Sequence, residues 1–169
     1  IETALTVSKM KGVQFDIGGF GTLVPTLKKL ETKITNMKYI GPIHPDNVPL
    51  QTIQCDAVLM ALDPTNVNNR LSAPNKLFVA MAAGVPIITC KELLMGQMVE
   101  REEIGLTFEW GKWDRLKAVI MEMMFDETLC NDMGKRARRL AEKKHNWDFC
   151  EDRIGSLYKF VKKNAAIDA

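Results

Sequence analysis

The chain has little that would tie it to a metal, a nucleic acid or the interior of a bilayer. Its four cysteines, Cys55, Cys90, Cys130 and Cys150, form no CxxC pair, and the two histidines, His44 and His145, share no ligand spacing. No metal site is therefore expected, and the cysteines read as reduced thiols of a cytoplasmic protein. No apolar run approaches the ~20 residues of a membrane span. The net charge of +2 over 169 residues gives no electrostatic basis for holding nucleic acid. The basic cluster Lys135, Arg136, Arg138 and Arg139 reads instead as the solvated face of a helix. Aromatic residues make up only 7% of the chain. Trp110, Trp113 and Trp147 fall at element boundaries, so they read as anchors for the last helices rather than as a sugar-stacking platform.

What is present is a regular alternation of elements in a chain of one-domain length. Helical patterns cover "IETALTVSKMK", "LVPTLKKLETK", a short "LQTIQC", Pro74 to about Ala83, and "ELLMGQMVERE". Three more follow, at Asp114 to Phe125, Glu127 to about Lys144, and Phe149 to Lys162. Between them lie strands at "GVQFDIG", "MKYIG", "DAVLMAL", "VPIIT" and "LTFEW", while "DPTNVNNRLSA" reads as a polar loop. Met121, Met123 and Met124 read as core residues of their helix. Apolar strands alternating with helices imply an α/β fold, a Rossmann-like parallel sheet with helices on both faces. Ligands of such sheets bind beyond the carboxyl ends of the strands.

Two stretches at that end could carry chemistry. In "DIGGFGTL", Gly19 and Gly21 would let backbone N–H groups approach a ligand, or simply form a tight strand-to-helix turn. A dinucleotide fingerprint is not met, because Val24 stands at the third glycine position and no acidic residue ends a following strand. In "APNKLFVAMAAGVPIIT", Pro74 suits the first helical position, and the free N–H groups of Asn75 and Lys76 suit an anion. Lys76 adds a full charge there, although a first-turn lysine is also commonly just solvated.

This second stretch closely resembles the "PNKLFEYMAAG-P-V" segment of the group 1 glycosyltransferases, the retaining family of GT-B fold. "VQFDIGGFGTL" resembles that family's glycine loop, "MKYIGPI" its nucleobase-edge strand, "EIGLTFEW" its late strand and "HNWDFCEDRIGSLYKF" its closing helix. The resemblance covers only the C-terminal, donor-binding half of such an enzyme. It implies that Asn75 and Lys76 meet the diphosphate of a UDP- or GDP-sugar, and that Gly19 and Gly21 line the cleft. It also implies that Pro42 and Ile43 lie against the base. No metal or other cofactor is implied, so the helix dipole and basic side chains would stabilise the leaving diphosphate.

The family's Glu-seven-residues-Glu pattern is not kept. Its first glutamate falls at Leu71 and its second, which would hold the ribose, falls at Val79. Ribose recognition must then weaken or pass to another residue, with Asn68 and Asn69 as candidates. The expected function is donor binding, over residues 1–169, in a retaining hexosyltransferase that extends a glycan or lipid-linked acceptor. The alternative is a degenerate binding or assembly module of the same fold. The resemblance further implies an N-terminal acceptor domain and a first, central strand ahead of Ile1, with room for peripheral membrane association through that domain.

Overall fold

The computed structural model describes residues 1–165; the end of the expected 1–169 domain, residues 166–169, lies outside the described residues. The chain runs through helix α1 (Glu2–Val7), strand β1 (Phe15–Gly18), α2 (Val24–Glu31) and β2 (Met37–Gly41). A 3-10 turn at Pro45–Asn47 leads into α3 (Val48–Thr52), β3 (Val58–Met60), α4 (Val67–Leu71) and α5 (Asn75–Ala83). Then come β4 (Ile87–Cys90), α6 (Leu94–Arg101), β5 (Gly105–Phe108), α7 (Trp113–Phe125), α8 (Glu127–Lys144) and α9 (Trp147–Ala165).

All strand pairs are parallel, but they form two separate sheets. β1 pairs with β2, Phe15 opposite Met37, with a register shift between Ile17 and Gly18. β4 lies between β3 and β5, and all four of its residues are buried. That is why "IITC" is apolar without alternation: a strand covered on both faces has no solvent side. Its single hydroxyl, on Thr89, donates to the Met60 carbonyl at 2.9 Å and so ties β4 to β3. No hydrogen bonds join β1 to β3.

Local chemistry fixes the element that matters most here. Pro74 is extended and opens α5, and Gly84 closes it at φ 69°, a left-handed C-cap that favours glycine. The buried face of α5, Leu77, Ala80 and Met81, turns to the sheet. Helices α3 and α8 pack beside it. The α5–α8 contact is close because Gly134 has no side chain; a Cβ there would stand 2.3 Å from the Gly84 carbonyl oxygen. On the other side of the sheet α1 packs on α7. The α1–β1 connection is held by Asn36, whose side-chain amide donates to the carbonyls of Val7, Met10 and Val13 at 2.9–3.1 Å.

The α/β architecture is the expected one, with local corrections. The polar loop after β3 contains a helix, α4, because the Asn66 side chain caps it by accepting from the Asn68 N–H at 2.9 Å. α3 begins at Val48, two residues before the expected start, since Pro49 is tolerated in a first turn. Of the three methionines assigned to the core, Met123 is buried, but Met121 and Met124 are exposed, at 49% and 43%. They fall on the solvent side of α7, whose inward face is Leu116, Ile120 and Met123. Trp110 and Trp113 do anchor one another, edge to face at 5.3 Å. Trp147 anchors nothing of the kind and is 71% exposed.

Candidate functional site

Two groups of sequence-selected residues gather at the carboxyl ends of the strands. The first is the glycine wall after β1 and β2. Gly19 and Gly21 both have φ of 140° and Gly41 has φ of 80°, conformations that L side chains avoid. The Gly19 N–H donates to the Gly41 carbonyl at 2.8 Å, and the Tyr39 hydroxyl donates to the Gly19 carbonyl at 2.7 Å. These bonds clamp the glycine loop against the turn that carries Pro42 and Ile43. Ile43 itself seats on Gly18, where a Cβ would come within 2.4 Å of its Cδ1. Nothing lies within 4 Å of an added Cβ at Gly19 or Gly21. Those two glycines are thus demanded by backbone shape and leave open space beside the loop.

The second group is the first two turns of α5. No side chain caps this helix; the Leu77 N–H donates to the Pro74 carbonyl at 2.9 Å, while those of Asn75 and Lys76 remain available with the helix dipole behind them. The side chains divide between two cavities. Asn75 and Val79, one turn apart, line a cleft of about 660 Å³ between α3 and α5, with Leu50 and Phe78. Lys76 instead lines a cavity of about 220 Å³ with Phe15, Leu59 and Ala61, residues at or beside the unpaired inner strands β1 and β3. The two residues expected at one diphosphate therefore open in different directions, and only their backbone N–H groups share a mouth. Gly19, Gly21, Pro42 and Ile43 line neither cavity.

Lys76 is exposed in this chain, and its side chain lies along a concave, largely apolar wall. Desolvation there lowers its pKa below the ordinary lysine value, with no other cause acting on it. Among the described residues no carboxylate pairs with its ammonium. It is a cation held at a helix mouth without a counter-ion.

The family's two glutamate positions are equally clear. Leu71 is 61% exposed at the end of α4, and Val79 is a half-buried part of the larger cleft's wall. Of the two substitutes, Asn69 is already engaged, its amide donating to the Asp63 carbonyl at 3.1 Å. Asn68 donates its backbone N–H to the Asn66 cap. Arg70 is exposed and, among the described residues, makes no ion pair. Asp63 is held below the usual carboxylate range by the hydroxyl and N–H of Thr65, which both donate to it.

Sequence reasoning missed Arg138 and His145, which close the far end of the larger cleft. Their distance along the chain from α5 hides this, and only the packing of α8 on α5 brings them there. The His145 ring lies 5.5 Å from that of Phe78. Desolvation is the main cause pushing its pKa below the ordinary histidine value. Arg138 donates to the Ala82 carbonyl at the C-terminal end of α5, and to Glu142 at 2.7 Å. Among the described residues neither cavity is lined by a carboxylate. The arrangement can receive an anion and neutralise a leaving group; it offers no acid–base pair for proton transfer.

Comparison with known proteins agrees with the α/β fold. A family model described as glycosyl transferases group 1 matches residues 14–140. YtcC of Bacillus subtilis (strain 168) is 28% identical over 120 residues, covering 70% of this chain and 28% of that protein. Two solved structures share the fold at 17% identity. Sucrose-phosphate synthase of Thermosynechococcus elongatus has a TM-score of 0.79, covering 96% of this chain and 42% of its own. HepE of Anabaena, solved in complex with UDP-glucose, has a TM-score of 0.77, covering 93% and 44%. The chain thus spans less than half the length of each of these relatives.

Proposed function

The chain belongs to the group 1 glycosyltransferases, and we propose that it is the part of such an enzyme that holds the nucleotide-sugar donor. The observation that carries this reading is Lys76, a cation without an ion-pair partner among the described residues, lining a cavity beside the uncapped start of α5. A diphosphate would supply the missing counter-charge and accept from the free N–H groups at the same time. The UDP-glucose bound by HepE, a neighbour of the same fold, supports a UDP-sugar as donor; a GDP-sugar fits the same chemistry. As the sugar leaves through a loose, oxocarbenium-like transition state, negative charge collects on the diphosphate, where the helix dipole and Lys76 would stabilise it. The product would be a sugar retained in configuration on a glycan or lipid-linked acceptor.

The acceptor and any base would come from an N-terminal domain ahead of Ile1. A first strand from the same region would lie between β1 and β3, whose facing edges have no hydrogen-bond partners in each other. Peripheral membrane association would likewise be a property of that domain. The second reading, a non-catalytic module of the same fold, is favoured by one observation, the apolar side chains at Leu71 and Val79.

Calorimetry with UDP, GDP and NAD separates these readings. Donor binding predicts affinity for a nucleoside diphosphate and none for the dinucleotide, whereas the non-catalytic module predicts heat from neither. Lys76→Ala should weaken the diphosphate by ~1–3 kcal/mol, the range for a charge-assisted contact. Unchanged UDP and GDP affinity in that variant sinks the assignment of Lys76.

A further inference from the structure

The glycine loop after β1 lines neither cavity, yet one side chain holds it in place. The Tyr39 hydroxyl donates to the Gly19 carbonyl at 2.7 Å. Tyr39 is itself fixed at its other end, where its backbone N–H donates to the Glu31 carboxylate at 3.0 Å. The Gly19 N–H is taken as well, by the Gly41 carbonyl.

Planarity turns the Tyr39 bond into a direction. In a trans peptide the C=O and the following N–H point opposite ways. With the Gly19 carbonyl drawn to the hydroxyl, the Phe20 N–H is aimed away from it. There it meets no acceptor among the described residues, and neither do the N–H groups of Gly21 and Thr22. Successive free N–H groups beside glycines at positive φ form a concavity that receives ligand oxygens. Phe20 is 91% exposed, and no atom lies within 4 Å of an added Cβ at Gly19 or Gly21. The space beside the loop is therefore open.

The loop also stands at a fitting distance from α5. β1 and β3 border the smaller cavity together, through Phe15 and Leu59, without bonding to each other. One strand's width between them sets their ends about 10 Å apart. A nucleoside diphosphate with its phosphates at the mouth of α5 spans that distance and brings its nucleoside end to the loop.

Resting on the nucleotide-sugar reading above, we propose that Tyr39 is a positioning residue of the same site. Through the Gly19 carbonyl it aims the Phe20 and Gly21 N–H groups at an oxygen of the bound nucleoside. Without the hydroxyl, the peptide between Gly19 and Phe20 is free to turn, because glycine on either side of Phe20 permits it. Ordering the loop then falls to binding, which weakens affinity.

Tyr39→Phe removes the hydroxyl and keeps the ring. Calorimetry of the 169-residue chain with UDP is expected to show affinity about fivefold weaker in this variant, the value of one neutral hydrogen bond. In amide nitrogen–proton spectra of the parent, UDP should shift the Phe20 and Gly21 signals, a response that a purely structural tyrosine does not require. Equal UDP affinity in parent and variant would overturn the proposal. So would Phe20 and Gly21 signals that stay in place while the parent binds UDP. A parent that binds no UDP at all would instead strike down the nucleotide-sugar reading, and this inference with it.

Discussion

Replacing a helical glycine by alanine ordinarily stabilises, by ~1 kcal/mol in an exposed helix interior, because alanine loses less backbone entropy on folding. At Gly134, in the middle of α8, the structure predicts the opposite sign. The new Cβ would stand 2.3 Å from the Gly84 carbonyl oxygen and 3.3 Å from its carbon. Both are backbone atoms, so no side-chain rotation relieves the clash, and the oxygen would have to retreat by about 1 Å to reach ordinary contact. Gly84 cannot easily give way, because it is the left-handed cap that ends α5. Forcing extra volume into such a contact costs ~1–3 kcal/mol, against which the propensity gain of ~1 kcal/mol is the smaller term. Gly134→Ala is thus expected to be destabilising by ~1 kcal/mol, the middle of the difference between those two terms, read as a lower urea midpoint at unchanged slope. Gly155→Ala is the control: it lies in α9 with nothing within 4 Å of an added Cβ. It should raise helical content by circular dichroism and leave the main transition where it was. A Gly134→Ala protein as stable as the parent would refute the close α5–α8 approach on which the larger cleft depends.

Further expectations concern the lysine, the ribose position and the α1–β1 clamp. The folded-state pKa of Lys76 lies below its unfolded value near 10.5. The charge therefore opposes folding at neutral pH, and the penalty fades as pH rises through the folded value. Lys76→Met should raise the urea midpoint at pH 7, with an advantage that shrinks as the pH nears 10.5; no gain at pH 7 would mean the ammonium is not desolvated. Val79→Glu should increase the preference for UDP over its 2′-deoxy form by about tenfold, the value of one charged hydrogen bond. Equal affinities in that variant would place the ribose away from this wall of the cleft. Asn36→Ala takes a donor from three carbonyls, of which only that of Val7 keeps another, the Met10 N–H, and should cost ~2 kcal/mol; a change in urea stability under ~0.5 kcal/mol would contradict that role.

The features legible in the sequence are those that one element or one turn decides. Pro74 and Gly84 mark the ends of α5 because a missing N–H and a left-handed φ are properties of single residues. "VPIIT" reads as a buried strand because its letters are almost all apolar, whereas "DAVLMAL", equally apolar, is only partly covered, with Met60 alone of β3 fully buried. The glycines at 19 and 21 announce an unusual backbone in the same way. Group 1 membership was legible too, through the segment around Asn75 and Lys76. What the letters do not carry is the direction in which neighbouring side chains face once helices pack. Asn75 and Lys76 are adjacent, yet successive residues on a helix point about 100° apart, and the layers on either side of α5 turn that angle into two separate cavities. Asn66 looked like loop filler until its side chain closed a cap. Trp147 looked like an anchor because tryptophan usually is one, but burial depends on what lies opposite, and within the described chain nothing does. His145 and Arg138 reach the cleft of Val79 only because α8 packs along α5 through the gap at Gly134. The sequence by itself determined the strands, all the longer helices, their order and the family, since these follow from local backbone preference and periodicity. Only the tertiary structure decided which side chains share a cavity and which charge is left without a partner, because contacts between distant segments are set by packing.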